Sequence, residues 1–198
     1  MQAIKMGLSV SAEIQAGKIL GDVPARIRHQ TPLLKSKWIN TVLGPMVAIG
    51  DDDALYLLEF VTRKGLEREV ARLQKRGFTI APGKSQSLQS IESELAAYFA
   101  GKLIHFNTPY RVFGSEFQQQ VWHTLCQIPY AVTRSYREQA LSMNKPTAYR
   151  AVANANGANQ LAIIIPCHRI ISSDGSLGGY GGGIAIKQWL LEHEKRNK

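Results

Sequence analysis

A cysteine with two basic neighbours near the end of the chain is the group best suited to covalent chemistry. Cys167 follows Pro166 and an apolar run at 161–165, and His168 and Arg169 come directly after it. Positive charge beside a thiol favours the nucleophilic thiolate, so these neighbours predict a pKa for Cys167 below the ordinary value of about 8.5. An isolated cysteine is also often buried and inert. The residues around Cys167 leave both interpretations open.

A glycine-rich segment downstream is a candidate wall for a binding site. Residues 178–183 read Gly-Gly-Tyr-Gly-Gly-Gly. With little side chain besides that of Tyr180, the backbone can approach a flat ligand and donate N–H hydrogen bonds to it, although a flexible loop is the alternative. In the helix predicted to follow, Lys187 and Glu194 lie two turns apart on one face. Both are candidates to point toward Cys167, and a solvated face is the other interpretation.

Two short helices before the cysteine are predicted to form a helix-turn-helix motif. The first begins at a capping box, residues 135–138 (Ser-Tyr-Arg-Glu), and runs to about Ser142. The second is predicted to begin at 144–146 (Asn-Lys-Pro) and to end at 156–157 (Asn-Gly). A tight connection between two short helices is typical of this motif. Its basic side chains are Arg134, Arg137, Lys145 and Arg150.

The first half of the chain is predicted to mix strands and helices. Residues 1–37 carry six basic and two acidic residues with weak apolar periodicity, which indicates an irregular basic extension. From Trp38 onward, apolar runs at 46–49 and 54–60 flank a Gly-Asp-Asp-Asp turn signal and predict a β-hairpin. Apolar residues at helical spacing then predict helices that end at Gly77 and Gly101.

The second half is predicted to be mainly helical. Residues 102–114 look extended, and a domain boundary is predicted near residue 112. A capping box at 115–118 opens a helix that Pro129 ends, and Cys126 is expected in the core as part of that helix. The predicted organisation is therefore an extension at 1–37, an α/β domain at 38–112 and a mainly helical domain at 113–198.

Composition restricts the classes of protein to which the chain can belong. Of the 198 residues, 44% are hydrophobic, which is enough for a sizeable core and excludes a mainly disordered chain. No run approaches the roughly 18 apolar residues of a membrane span, and no signal peptide is recognised, so a soluble intracellular protein is expected. Two cysteines are too few for a disulfide framework or a cysteine-rich zinc site. The net charge of +9 indicates a polyanionic partner, with nucleic acid the leading candidate.

Taken together, these segments resemble the O6-alkylguanine-DNA alkyltransferase family. The matching motifs are Pro-Cys-His-Arg at 166–169 after Ile163-Ile164-Ile165, Ser135-Tyr136, Arg150-Ala151-Val152, Asn159 and Gly-Tyr-Gly-Gly-Gly at 179–183. The resemblance is dense over 115–198, extends more weakly to Trp38 and does not cover residues 1–37. It implies an α+β fold, in which a ribonuclease-H-like α/β domain precedes a mainly helical domain with a winged helix-turn-helix-like motif.

The resemblance also implies a reaction. The alkyl group of O6-alkylguanine in DNA, with O4-alkylthymine as a candidate second substrate, would pass irreversibly to Cys167 in a single turnover. The damaged base would first be flipped out of the duplex from the minor groove. His168 would act as a base through a water molecule, and Glu194 would orient and charge it.

Further roles are implied for the pocket and for the DNA surface. Tyr136 would donate to guanine N3, Asn159 would brace the active-site turn and Lys187 would support the site. Tyr180 and the Gly181 amide would line the guanine pocket, with Ile170 packed on its wall. Arg150 would replace the extruded nucleotide in the stack. The other expected DNA contacts are Arg134, Lys145, Thr147, Ala148, Tyr149 and Ala151.

The resemblance implies double-stranded DNA containing O6-alkylguanine as the partner, no cofactor, no membrane association and a monomer. The expected location is the cytoplasm, with the nucleoid, in a bacterium, or the nucleus in a eukaryote. Two departures from the family are visible. Tyr149 stands where the family commonly has a small residue, which puts the depth or angle of approach to the minor groove in question. No cysteine precedes Cys126, so the zinc ligands of some animal members have no counterpart and no metal is expected.

Three other classes of protein share parts of this pattern. A non-catalytic lesion-binding relative would lack the acceptor, and Cys167 argues against it. A sequence-specific transcription factor would need polar base-reading residues early in the second helix, where this chain has few. A turnover cysteine hydrolase usually takes its histidine from a distant part of the chain and not from the position next to the cysteine.

Overall fold

The computed structural model describes residues 31–198. The first half consists of β1 (Leu33–Thr41), β2 (Gly44–Gly50), β3 (Leu55–Phe60), α1 (Leu66–Lys75), β4 (Thr79–Pro82) and α2 (Gln86–Phe99). Its strands form one sheet in the order β3-β2-β1-β4, in which β1 is antiparallel to β2, β2 is antiparallel to β3 and β4 is parallel to β1. The hairpin predicted from the Gly-Asp-Asp-Asp turn is confirmed as β2 and β3.

The second half is mainly helical. It consists of α3 (Glu116–Cys126), β5 (Arg134–Ser135), α4 (Tyr136–Ser142), α5 (Tyr149–Gly157), a one-turn 3₁₀ helix (Cys167–Arg169), β6 (Ile170–Ile171) and α6 (Ile184–Arg196). Among the described residues, no helix is long and apolar enough to cross a membrane. The predicted capping boxes are both present, with Ser115 capping α3 and Ser135 capping α4.

Strand β1 begins inside the segment predicted to be irregular. Leu34 and Ser36 are buried, whereas Lys35 and Lys37 are partly exposed, and Lys37 forms an ion pair with Glu92 of α2. The prediction of an irregular extension is therefore wrong for residues 33–37. The lysines hid the period-two pattern of this strand, because they alternate with the buried Leu34 and Ser36 and remain partly exposed beside α2. The rest of the predicted extension, residues 1–30, lies outside the described residues.

Helix α5 begins later than its sequence predicts. Asn144 has a positive φ of 56°, a conformation that asparagine tolerates, and it follows the end of α4 instead of capping α5. The Ala148 amide then donates to the Lys145 carbonyl at 2.9 Å, which closes a turn, and the helix starts only at Tyr149. The prediction that residues 144–146 open the helix is therefore wrong, although its predicted end at Gly157 is confirmed.

The sheet has a separate hydrophobic cluster on each face. Helix α1 packs on one face through Leu66, Val70 and Leu73. The other face is covered by α2 and by the second half of the chain, in a single cluster that includes Leu58 of β3 and Leu190 of α6. Residues from both sides of position 112 therefore share one core.

Backbone pairing joins the segment before Cys167 to the edge of the sheet. The Leu58 amide donates to the Gln160 carbonyl at 2.9 Å, and the Ala162 amide donates to the Leu58 carbonyl at 2.7 Å. Leu161 therefore pairs in parallel with Leu58 at the β3 edge of the sheet. On the other side of the cysteine, β6 pairs in parallel with β5. These two pairings bring Cys167 between the sheet and the start of α4, where Tyr136 lies.

Candidate active site

Cys167 lies in a cleft of about 960 Å³ that residues from both halves of the chain enclose. Tyr136 at the start of α4, the 178–183 segment and the C-terminal end of α5 line it from the second half. Arg63 and Lys64, between β3 and α1, line it from the first half. The cysteine is partly buried. Tyr136, Tyr180 and Gly181, which are predicted to contact a ligand, therefore share one cavity with the predicted nucleophile.

Asn159 holds the turn that carries the cysteine. Its Nδ2 donates to the Ile165 carbonyl at 2.8 Å and to Cys167 Sγ at 3.2 Å, and its Oδ1 accepts from the Leu161 amide at 3.0 Å. Ile163 within this turn has a positive φ of 73°, which is uncommon for a β-branched residue and requires support from its surroundings. The support for this turn that the family resemblance implied for Asn159 thus consists of hydrogen bonds to two backbone groups and to the thiol.

His168 and Glu194 form a buried pair beside the cysteine. Nε2 of His168 lies 2.8 Å from Oε1 of Glu194, and both side chains are fully buried. Because a carboxylate can only accept, the histidine donates from Nε2 and its Nδ1 is the acceptor in the neutral ring. That Nδ1 is buried and has no hydrogen-bond partner in the described part of the chain.

Glu194 is held by donors from four directions. Besides His168, it accepts from Nε and Nη2 of Arg169, from the Tyr98 hydroxyl at 3.0 Å and from the Ala131 amide at 2.9 Å. Burial alone would raise the pKa of this carboxyl, but the hydrogen bonds and charges of His168 and Arg169 hold it well below its usual range. Glu194 is therefore ionised at neutral pH.

The thiol of Cys167 is protonated in the resting site. Burial raises its pKa to about 11, and the hydrogen bond from Asn159 only partly opposes this. The prediction of a lowered pKa is wrong, because Arg169 and Nε2 of His168 are both engaged by Glu194. Burial also lowers the pKa of His168, against the pull of Glu194, so its ring is neutral. The resting site holds a thiol beside a neutral imidazole.

Lys187 ties together the two segments that flank the cleft. Its Nζ donates to the carbonyls of Ile170 and Leu177, and at 3.4 Å to that of Gly179. Burial lowers the pKa of Lys187 to about 8. Of the two interpretations left open for Lys187 and Glu194, the solvated face is wrong, since both side chains point inward from α6 and are fully buried.

Ile170 does not line the cleft. Its side chain is fully buried in the core, and its contribution to the site is the carbonyl that accepts from Lys187. The expectation of this side chain on the pocket wall is therefore wrong. The residue belongs to β6, and its pairing with β5 turns the side chain into the core.

Two tyrosines border the cleft. Burial, and then the neighbouring Cys167, raises the pKa of Tyr136, so its hydroxyl is a hydrogen-bond donor at neutral pH. The Tyr180 hydroxyl is buried without a partner among the described residues. Gly178 borders the Tyr136 ring and has a φ of +64°, a backbone conformation that other residues rarely adopt. Glycine is favoured at this position because of that conformation.

The helix-turn-helix presents an open, basic surface next to the cleft. Arg134, Lys145, Thr147, Tyr149, Arg150 and Ala151 are exposed, and Ala148 is partly buried. The Arg150 guanidinium lies 5.6 Å from the centre of the Tyr149 ring. The predicted DNA-contacting residues therefore share an accessible surface.

Comparisons with a family model and with known relatives point to the same protein family. A model described as the DNA-binding domain of 6-O-methylguanine DNA methyltransferase matches residues 116–196. The methylated-DNA–protein-cysteine methyltransferase of Methanosarcina barkeri is 41% identical over 160 residues, which cover 80% of this chain and 96% of the relative. The Mycobacterium leprae protein of the same name is 39% identical over 163 residues, or 82% of this chain and 93% of its own. The chain belongs to the methylated-DNA–protein-cysteine methyltransferase family.

Solved structures agree with this family assignment. The Mycobacterium tuberculosis OGT, crystallised in complex with DNA, has a TM-score of 0.71 at 39% identity and covers 83% of this chain and 94% of its own. The O6-methylguanine-DNA methyltransferase of Pyrococcus kodakaraensis shares the fold, with a TM-score of 0.59 at 22% identity. The resemblance, the mixed α+β class and the assignment as a methyltransferase of this family are confirmed.

Two residues at this methyltransferase site are absent from the sequence-based prediction. Glu59 and Arg63, from the end of β3 and the turn after it, form a buried ion pair in the small pocket that Cys167 and Tyr180 also line. A signal was available, because Glu59 is the one charged residue in an apolar strand and a basic residue follows it four positions later. Buried charges are rarely found without a partner or a role.

Cys126, the other thiol of this methyltransferase, is exposed at the end of α3. The prediction that it lies in the core is wrong. Phe117, Val121 and Leu125 form the inward stripe of α3, and Cys126 lies one position beyond it. Residues 31–198 contain no group of three or more His, Cys, Asp or Glu side chains placed to hold a metal ion.

Proposed function

We propose that the chain repairs DNA by transferring the alkyl group of O6-alkylguanine irreversibly to Cys167. The observation that carries the proposal is the geometry around one sulfur atom. Cys167 Sγ lies in an open cleft, accepts a hydrogen bond from Asn159 and is followed in the chain by the buried His168–Glu194 pair. The relative crystallised in complex with DNA supports DNA as the partner.

The proton of the thiol has an acceptor close to the cysteine. The unpartnered Nδ1 of neutral His168 takes it through a water molecule, and the imidazolium that results is stabilised by Glu194 through Nε2. The pKa of about 11 makes this step necessary, because few thiolates exist in the resting site at neutral pH. His168 therefore acts as a general base and Glu194 as the residue that orients and charges it.

The transfer step is a displacement at the alkyl carbon. The sulfur–carbon bond forms as the carbon–O6 bond breaks, and the electron pair moves into the guanine ring, where N3 receives a hydrogen bond or proton from Tyr136. A donor aimed at developing negative charge lowers the barrier. The product is a thioether, which none of these side chains can hydrolyse, so each molecule acts once.

The base must leave the duplex to reach the cleft. We propose that Arg150 fills the gap that the extruded nucleotide leaves in the base stack. Tyr180 and the Gly181 amide contact the extruded guanine, and the exposed surface of α5 lies in the minor groove. Extrusion costs a few kcal/mol, which contacts of this kind offset. Phosphate contacts are assigned to the exposed Arg134 and Lys145, which carry positive charge on the helix-turn-helix.

Two finer structural assignments accompany this function. The order β3-β2-β1-β4, with helices on both faces, supports a ribonuclease-H-like class for the first half. The short helices α4 and α5 and their tight connection support a winged helix-turn-helix-like class for the second half. We also propose that the protein is a monomer. Its proposed location is the cytoplasm, with the nucleoid, in a bacterium, or the nucleus in a eukaryote.

The decisive experiment uses the two cysteines as a matched pair. Cys167→Ser and Cys126→Ser are incubated with a duplex oligonucleotide containing O6-methylguanine and weighed intact. We expect one added methyl group on the wild type and on Cys126→Ser, and none on Cys167→Ser, which should still bind the duplex. A duplex containing O4-methylthymine tests the second substrate.

Other outcomes would contradict the proposal in distinct ways. A methyl group retained by Cys167→Ser would assign the acceptor to Cys126. Demethylated DNA without any gain of protein mass would indicate a hydrolase that turns over. An unchanged oligonucleotide with the wild type would indicate a binding protein.

A further inference from the structure

The first half of the chain contributes a buried ion pair to the cleft that holds Cys167. Glu59 belongs to β3, a strand in which every residue is buried, and Arg63 lies in the turn before α1. Nη1 of Arg63 donates to Oε1 of Glu59, and both side chains are almost fully buried. Burial raises the pKa of the Glu59 carboxyl, and the guanidinium opposes that rise.

Arg63 makes its other hydrogen bonds to the second half of the chain. Nη2 donates to the Gly157 carbonyl at 2.9 Å, and Nη1 donates to the Asn159 carbonyl. Gly157 is the last residue of α5, where the final carbonyls of a helix lack partners within the helix and a cation is favourable. One guanidinium thus holds both the end of α5 and the residue whose amide donates to Cys167.

The glycine-rich wall of the cleft packs against Arg63 and the neighbouring Phe60. A Cβ on Gly181 would lie 3.5 Å from Nε of Arg63, and a Cβ on Gly182 would lie 3.0 Å from the ring of Phe60. The Arg63 side chain therefore lies between the wall of the pocket and the carbonyl of Asn159. Its removal would loosen both.

We propose that Arg63, held by Glu59, is a positioning residue for alkyl transfer that fixes the Asn159 amide against the sulfur of Cys167. The inference rests on the proposed function, because Cys167 is taken as the acceptor. A side chain from the first half of the chain thereby sets the geometry of a reaction whose other residues lie in the second half.

Stability alone does not explain a buried ion pair at this position. Taking two charges out of water costs several kcal/mol, and apolar residues of similar volume often serve equally well. The guanidinium, however, supplies donors in a fixed planar fork, so it can hold two carbonyls and a carboxylate in one arrangement. An apolar pair would retain the packing and lose that arrangement.

The test replaces the pair without leaving a buried charge. In Glu59→Leu/Arg63→Met the packing is kept, and Arg63→Lys keeps the charge but not the fork. The first measurement is the single-turnover rate with free O6-methylguanine as a function of its concentration. We expect the double variant to lose about 10- to 100-fold in maximal rate, the equivalent of a hydrogen bond to a charged group, with a smaller change in half-saturating concentration. Arg63→Lys should be intermediate.

The second measurement reports on the thiol without any alkylated base. Iodoacetamide alkylation of each cysteine is followed by peptide mass spectrometry from about pH 7 to about pH 9, where the rate follows the thiolate fraction. We expect slower alkylation of Cys167 in the double variant. The exposed Cys126 of the same molecules should react at an unchanged rate. Arg76→Gln is the matched control, since this arginine follows α1 and stacks over Phe113, away from the cleft.

The outcomes separate positioning from folding. A double variant that melts like the wild type and transfers the methyl group at the wild-type rate overturns the proposal, as does one whose two cysteines change reactivity equally. Should the double variant not fold, Arg63→Lys is judged by the same two measurements. If the wild type accepts no methyl group, the proposed function fails, while the iodoacetamide rates still decide whether Arg63 acts on Cys167.

Discussion

At the level of single residues, Glu194 shows how a fully buried carboxylate can stay ionised. It has no exposed surface, yet it accepts hydrogen bonds from Arg169, His168, Tyr98 and a backbone amide. A buried charge is stable only when its lone pairs are satisfied in this way. The same carboxylate accepts the hydrogen bond that orients His168, so the stability of the fold and the action of His168 as the proposed base depend on one side chain.

Glu194→Gln should therefore reduce stability in a pH-dependent manner. The folded-state pKa of Glu194 is lowered, so its contribution is fully present above about 4.3, the ordinary value in an unfolded chain, and is lost as the pH falls through the folded value. Removing one partner of a buried pair costs about 3 kcal/mol or more near neutral pH. Urea unfolding from about pH 7 down to about pH 3 should show the wild-type advantage shrinking on the acid side. A difference that is constant with pH would contradict this account.

Arg150→Ala should impair repair of duplex DNA far more than reaction with free O6-methylguanine. In the proposed mechanism only the duplex requires extrusion, which costs a few kcal/mol, so the ratio of the duplex rate to the free-base rate should fall by at least about 10-fold. The ratio cancels any general damage to the active site. A lesion opposite an abasic site, already poorly stacked, should partly rescue the variant.

Tyr149→Ala is the companion variant. The Tyr149 ring lies against Arg150 and is exposed, so it could itself enter the stack. If Tyr149→Ala lowers the ratio while Arg150→Ala lowers both rates equally, the wedge is the tyrosine and Arg150 has a packing role.

The state of Cys167 shows where reasoning from neighbours in sequence fails. His168 and Arg169 are next to the thiol in the chain, which suggested a stabilised thiolate. In the fold both side chains are engaged by Glu194, 26 and 25 residues away, and burial decides the pKa of the thiol. Sequence proximity gives the residue types at a site but not the direction in which each side chain points.

At the scale of elements, local signals were sufficient for most helices. Capping boxes and apolar spacing predicted α1 to α4, because those interactions lie within a few residues of each other. They failed at β1, whose lysines mask its pattern, and at the start of α5, where Asn144 and a turn at Lys145 replace the predicted cap. Both failures depend on partners that are distant in sequence or on backbone conformation.

Helix α4 offers a test of how a helix cap positions Tyr136, the proposed donor to guanine N3. Ser135→Ala and Ser115→Ala remove equivalent capping boxes, from α4 and α3 respectively. Each should cost about 1 kcal/mol of unfolding free energy in urea. Only Ser135→Ala should also slow methyl transfer, because Tyr136 is the first residue of α4. Equal transfer rates in the two variants would show that the position of Tyr136 does not depend on its cap.

At the scale of the whole molecule, the two halves act as one body around the cleft. They share a hydrophobic cluster, a continuation of the sheet at Leu161 and the hydrogen bonds of Arg63. None of these features is visible in the sequence, because they join residues about 100 positions apart. The family resemblance predicted the catalytic set in the second half and left the contribution of the first half unseen.

The basic surface of the molecule should make DNA binding strongly dependent on salt. Each side chain that neutralises a phosphate releases condensed counterions, so the logarithm of the binding constant falls linearly with the logarithm of salt concentration, by about 0.9 per contact. Arg134 is exposed directly before α4, so Arg134→Ala should reduce that slope by about 1, uniformly across unmodified duplex sequences. Fluorescence anisotropy at several salt concentrations measures it.

The control for this prediction is a basic residue outside the helix-turn-helix. Lys102 follows α2 and is exposed, so Lys102→Ala makes the same change in net charge at a different place on the surface. If overall charge governed binding, both variants would lower the affinity equally, whereas a localised phosphate contact lowers the slope for Arg134→Ala alone. A strong preference of the wild type for one unmodified duplex would instead favour a sequence-specific DNA-binding protein, because phosphate contacts carry no sequence information.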